Sequence, residues 1–424
     1  MKQEKAITIP LRRITVIDAL RGFALLGVIV THMLQHYGIF SFSAVEAGEA
    51  LFPEMDAIIQ WLLRNVIMGK FINIFAFLFG LSFFIQMDSA AKKGVDFRQR
   101  FLWRMAILFI IGMVGNCFYT GDILSIYAVF GVLMVALYRV RNRTLILLIL
   151  LLLVGVPRIT TATYELMSVK TEQVVNTETR PSMQSSTQRR EEPSFLNSAK
   201  ENLTRGLQGK MNYQFGFYGR GYLTLALFIF GFIVGRLRFF EEVHLQRRRN
   251  GILFVSFVVA IVAINIILGL LPEPPSNRMF MTGIRDGNLD ASLLATMALI
   301  DIKSVLFSGA LSMGFITLYQ IKSIGRCLNV ISPYGRMGLT NYEMQSVIGC
   351  LLFSAWGCGS IFGHWGTTAI FVLALIVYAL QVVVSKYWLK CYLYGPLEWL
   401  WRSVTYLKLQ PFNRTGHTFS GGKQ

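Results

Sequence analysis

The feature that most limits what this chain can become is a series of apolar blocks, each about as long as a bilayer crossing. Ten can be read, near residues 20–38, 71–87, 102–119, 122–138, 144–160, 221–236, 251–271, 302–320, 338–356 and 366–386. A hydrocarbon core ~30 Å thick takes roughly 17–25 apolar residues as a helix. Inside it every backbone N–H and C=O must bond within its own segment, so unbroken apolar runs of this length form helices. The expected fold class is all-α, a polytopic membrane helix bundle of about ten transmembrane helices. Composition agrees: 15% of residues are charged, against about 25% in soluble domains.

A formal charge of +18 raises the question of nucleic acid, and the placement of the charges answers it. With a cytoplasmic N-terminus, 26 of the 41 Lys and Arg fall in inside segments, among them "AAKKGVDFRQRFLWR", "YRVRNR" and the tail from Lys386. The short outside loops hold only Arg64, Lys70, Arg278 and Arg285. This is the positive-inside signal, and it puts both termini in the cytoplasm. The basic surplus is therefore topology plus affinity for membrane lipids, and no nucleic-acid partner is expected. A cleavable signal peptide is not expected either, because the first apolar run carries histidines and the charge alternation needs it as a span. Five cysteines without a CxxC pair give no disulfide framework and no thiolate zinc site.

The chain divides into a first membrane half over 1–160, an extracytoplasmic polar loop over 161–220, a second half over 221–410 and a tail over 411–424 expected to be disordered. Five spans on each side invite an inverted-repeat transporter, but the halves show no internal sequence match.

Ionisable residues are costly in hydrocarbon and tend to face a bundle interior or a wet cavity. The first span, "IDALRGFALLGVIVTHMLQH", carries four: Asp18, Arg21, His32 and His36. At ~100° per residue all four share a stripe about 60° wide. Arg21 and His32 are separated by ~16 Å along the axis at 1.5 Å per residue. The plainer readings are a snorkelling Arg21 paired with Asp18 and a His32 hydrogen-bonded inside the bundle. Histidines four apart can also hold a metal. Of His244, His364 and His417, only His364 lies where it could approach them, so no metal is expected.

Asp18, Leu20, Arg21, Gly22 and the Arg-x(10)-His pair Arg21 and His32 resemble the first-span motif of the membrane acyltransferases that O-acetylate surface polysaccharides. Over its whole length the chain resembles the YeiB family of bacterial membrane proteins of unassigned function. The carrying stretches are "RRITVIDALRGFALLGVIV", "GKFINIFAFLFGLSFF", "GDILSIYAVFG", "SPYGRMGLTNYEMQS" and "GPLEWLWRSVTY". In YeiB-like proteins Asn often stands at the place of His32, so this chain departs from them toward the acyltransferase pattern. The resemblance implies a multi-pass protein of the bacterial plasma membrane.

Other polar residues sit where a path could run. Asp122, opening span four in "GDILSIY", reads as a helix cap or as a wall of an outer cavity with Asn116, His32 and His36. Asp301 and Lys303 in "MALIDIKSVLF" point about 200° apart, so at least one needs a partner from another helix. Glu343 in "GLTNYEMQS" is expected in the inner part of span nine, paired with Arg21 or Arg336 or placed at a cofactor entrance. Glu398 and Arg402 belong to an expected interfacial amphipathic helix. P-loop, GxSxG, HExxH and Rossmann glycine patterns are absent from the sequence.

Two functions compete. In acyl transfer, Arg21 receives the phosphates of cytoplasmic acyl-CoA, Asp18 steadies Arg21, and His32 acts as general base on an extracytoplasmic or membrane acceptor, a small molecule, glycan or lipid. In secondary transport or export, the same stripe lines a solute path and His36, Asp301 or Glu343 carry protons. A scaffold without turnover is the third reading.

Overall fold

A computed structural model describes residues 15–39, 52–161, 163–164, 193–216, 219–241, 243, 246–271 and 291–414. Most of the polar loop, His244 and the tail beyond 414 lie outside the described residues.

Each of the ten apolar blocks carries a helix. They are α1 (Thr15–Leu34), α2 (Lys70–Ala91), α3 (Arg98–Phe118), α4 (Leu124–Leu137), α5 (Asn142–Leu153), α6 (Gly221–Arg236), α7 (Arg247–Leu268), α8 (Ala291–Tyr319), α9 (Gly338–Phe353) and α10 (Thr367–Cys391). Among the described residues no strand forms beyond an isolated bridge between Tyr392 and Asn413. Six helices, α1, α2, α3, α7, α8 and α10, are long and apolar enough to cross a membrane. The chain is thus a multi-pass helical membrane protein. The count of ten spans and the cytoplasmic termini rest on the charge pattern, since α4, α5, α6 and α9 are shorter than a full crossing.

Lipid tails are as apolar as leucine, so helices in a membrane associate through close packing around small residues. The most extensive helix pair, α2 with α6, follows this rule. A Cβ placed on Gly80 would overlap the Phe228 carbonyl, and one on Gly231 would overlap the Phe77 carbonyl. Helix α1 lies at the centre, against α2, α8, α9, α10 and the short helix Ser332–Arg336, and its Leu20, Leu25 and Ile29 are fully buried. Helix α7 is the opposite case: it packs mainly on α8 and presents Val255, Val262 and Ile266 outward.

Short helices close the two ends. At the end where α1 begins, called the basic end, lie Lys322–Leu328, Ser332–Arg336 and Pro396–Tyr406. At the opposite end lie Pro53–Leu62, Phe195–Glu201 and Leu207–Phe215.

Candidate functional site

At the basic end, the first turn of α1 brings Asp18 and Arg21 together. Arg21 donates to Asp18 Oδ1 at 3.2 Å, to the Gly335 carbonyl at 3.4 Å and to Ser82 Oγ at 3.3 Å. The expected i, i+3 pair therefore forms, but Arg21 does not snorkel away. It lines a cavity of about 310 Å³ that also exposes Arg104, Arg336 and Arg402. The only carboxylate among the lining residues is Glu398, and it is already engaged. Its oxygens accept from the Leu339 and Thr340 N–H groups and from Thr340 Oγ. Burial pushes the Glu398 carboxyl up, against the opposing pull of these donors. Arg104 stacks over Trp401 at 3.7 Å, and its Nε has no hydrogen-bond partner among the described residues. Four guanidiniums against two acids, Asp18 paired with Arg21 and Glu398 held by the start of α9, leave the mouth with an excess of positive charge that attracts anions.

The cavity runs inward between aromatic walls, Phe75, Phe79, Phe83 and Tyr127, and ends at Tyr342 and Leu124. Tyr342 divides it from a polar cluster. On the far side the Tyr342 hydroxyl accepts from Ile123 N–H at 3.1 Å, and the neighbouring Asp122 accepts from Leu124 N–H at 3.1 Å. Asp122 thus bonds the first N–H of α4 from one residue before the cap position, which Ile123 occupies. Asp122 and Asn116 are brought together by a residue outside the expectation: Lys210 Nζ stands 3.9 Å from Asp122 Oδ1 and donates to Asn116 Oδ1 and Ser125 Oγ.

Glu343 joins this cluster, with its carboxylate against Gly115 of α3, and so pairs with neither Arg21 nor Arg336 as expected. The reason is helical geometry. Gly338 touches Arg21, and five residues on, a helix has turned about 140° and risen ~7.5 Å, which turns Glu343 from α1 to α3.

His32 stands beside this cluster, its ring 4.7 Å from that of Tyr119 and 5.5 Å from that of Tyr37. It does not line the cavity. The stripe also stops at His32, because α1 ends at Leu34 and both His36 (φ 48°) and Tyr37 (φ 52°) are left-handed. His36 thus leaves the shared face and packs on Phe353 at 4.8 Å.

Asp301 and Lys303 take partners from different helices, as their spacing requires. Arg158 donates to Asp301 at 2.7 Å and the Tyr222 hydroxyl donates to the same oxygen. Lys303 reaches Asn265 of α7 at 3.2 Å. This group forms a third site, separate from the cavity.

Of the stripe on α1, Arg21 lines the cavity and His32 stands outside it, beside Tyr119 and Tyr37. Lys210, Tyr342, Ser82 and Arg104 carried no sequence signal, since each becomes polar lining only through its neighbour in space.

Fold and site define a multi-pass helical membrane protein with an arginine-rich cavity at one end of a central helix and a buried polar cluster toward the other. Residues 234–408 match the family described as "Protein of unknown function (DUF418)". The chain is 26% identical over 403 residues to an uncharacterised 39.9 kDa protein of Bacillus acidopullulyticus, covering 94% of this chain and 95% of that one. It is 25% identical over 424 residues to the uncharacterised protein YxaH of Bacillus subtilis, covering 95% and 97%. A shorter match, 36% over 75 residues, is to the uncharacterised protein YeiB of Escherichia coli, covering 18% and 19%. These likenesses support the YeiB-like reading, a family of unassigned function, and do not extend to the acyltransferases. No solved structure matches.

Proposed function

We propose that this chain is an acyltransferase of the bacterial plasma membrane that takes acyl groups from cytoplasmic acyl-CoA to an acceptor in or beyond the membrane. One observation carries the reading: a cavity with four arginines at its mouth and an aromatic, otherwise apolar interior. Guanidinium groups suit phosphate through paired N–H donors. Arg104, stacked on Trp401 with Nε unpartnered, leaves donors for an anion. The volume, about 310 Å³, is at the lower limit of the ~300–1,000 Å³ of small-molecule sites. It suits an acyl-pantetheine arm, with the nucleotide held at the mouth by Arg21, Arg336 and Arg402. When bound, acyl-CoA supplies a thioester carbonyl for attack by the acceptor's hydroxyl or amine, with departure of the CoA thiol.

His32 is the general base in this proposal. It takes the acceptor's proton on its imidazole and returns it to the departing sulfur, contributing about 10²–10⁴ in rate. Asp18 holds Arg21 in place through the 3.2 Å contact. Because the cavity ends at Tyr342, short of His32, the proposal requires the Tyr342 ring to turn aside. Inverted membrane vesicles supplied with labelled acyl-CoA test it: label moves to membrane material with wild type and not with His32→Ala. Equal transfer by both sinks the assignment of His32.

A specific observation favours the second reading, secondary transport. Asp122, Lys210 and Glu343 form a buried charged cluster, and such clusters carry protons in transporters. Solute flux in proteoliposomes that collapses with the pH gradient and needs no acyl-CoA would select it.

A further inference from the structure

We infer that Lys70, Arg220 and Lys303 form a binding site for the phosphate of an anionic lipid headgroup, at the end of the bundle opposite the arginine cavity. The three come from three helices. Lys70 is the first residue of α2, Arg220 directly precedes α6, and Lys303 belongs to α8. The Arg220 guanidinium lies against Gly69, the neighbour of Lys70, and donates to Ser304, the neighbour of Lys303, at 3.3 Å. Lys70 Nζ sits 5.9 Å from the Phe307 ring, one turn of α8 beyond Lys303.

No carboxylate compensates these three cations among the described residues. Lys70 Nζ donates to the Arg64 carbonyl at 2.9 Å and Lys303 Nζ to Asn265 Oδ1 at 3.2 Å, both neutral acceptors. Asp301, two residues before Lys303 on α8, is engaged by Arg158 and Tyr222. Like charges held at close quarters without counter-charge repel one another, a cost that an anion removes. Each of the three remains partly exposed, so an anion can reach them.

The surroundings identify the anion as part of a lipid. Helices α2 and α6 start at this level, and α7 ends three residues past Asn265, so it is the edge of the apolar bundle. Beside it α7 turns Val255, Val258 and Val262 outward, a surface for acyl chains on the bundle side of Asn265, which Lys303 contacts. A phosphate placed among Lys70, Arg220 and Lys303 therefore keeps its tails on α7. The site is independent of the acyl-transfer reading.

The test uses the full chain in phosphatidylcholine nanodiscs containing a minor fraction of phosphatidylglycerol, with retained lipid counted by native mass spectrometry. A basic residue near an anionic surface contributes roughly fivefold. The triple variant Lys70→Gln, Arg220→Gln, Lys303→Gln should retain phosphatidylglycerol on the order of a hundredfold more weakly. Lys386→Gln, at the other end, should bind as wild type. A second measurement needs no variant: phosphatidylglycerol should shield Lys70 and Lys303 of wild type from an amine-reactive reagent, whereas phosphatidylcholine alone should not. Equal retention by the triple variant overturns the site. Shielding by inorganic phosphate as strong as that by phosphatidylglycerol overturns its assignment to lipid.

Discussion

The chemistry of the basic end depends on how closely two backbones approach. A Cβ on Gly335 would overlap the Asp18 carbonyl, and one on Gly22 would sit 2.6 Å from the Ile331 carbonyl. That crossing lets Gly335 offer its carbonyl to Arg21. Overpacking of this kind costs about 1–3 kcal/mol. Gly335→Ala should accordingly lower the unfolding midpoint in detergent by several degrees and weaken anion binding at the mouth. Gly251→Ala, where nothing lies within 4 Å, should leave the midpoint unchanged. The Asp18–Arg21 pair was legible because i, i+3 spacing alone brings two side chains together. His36 was misplaced because the sequence does not announce the left-handed pair that ends α1, and Glu343 because its partner depended on which neighbour its face met. Lys210 had no local pattern at all: only the fold brings Leu207–Phe215 over the ends of α3 and α4.

Among elements, Pro396–Tyr406 forms the helix expected of it and does one thing more. It lies across the basic end against α3 and α9, and its Glu398 accepts the orphan N–H groups that begin α9. Capping normally comes from the preceding residue; here another helix supplies it. Glu398→Ala removes an acceptor of three hydrogen bonds and should destabilise by about 2–3 kcal/mol, leaving buried donors unsatisfied, as read by thermal unfolding. Because burial raises the Glu398 carboxyl, its sign is that of a group stabilising when protonated. Wild-type stability relative to Glu398→Gln should be highest below the ordinary carboxylate value of ~4.3 and fall as pH rises through the raised one. A flat difference across that window would contradict the burial. The ten helices were legible from apolar length. Their ends were less so, because α4, α5, α6 and α9 stop short where caps and close turns replace helix.

At the scale of the whole molecule, the charge asymmetry predicts an orientation with the basic end in the cytoplasm. Cys391 at the end of α10 and Cys327 at the basic end are exposed, and so is Cys358 at the opposite end. In right-side-out cells or vesicles an impermeant maleimide should label Cys358 and spare Cys327 and Cys391. The reverse pattern would invert the protein and remove the cytoplasmic cavity.

Apolar blocks and charge bias made the bundle readable, and the stripe on α1 made one wall of the site readable. The remaining walls, from α2, α3, α4, Ser332–Arg336, α9 and Pro396–Tyr406, meet only in the folded chain. The proposed activity depends on the cavity they enclose. Its most direct test is calorimetric titration of the full chain in nanodiscs with a non-hydrolysable acyl-CoA analogue. Hydrogen bonds to charged groups are worth ~1.5–3 kcal/mol. Wild type should show saturable binding, Arg21→Gln and Arg402→Gln should each weaken it about tenfold or more, and His32→Ala should bind as wild type. Absence of saturable binding by wild type, or binding by both arginine variants as tight as that of wild type, would contradict the proposed activity.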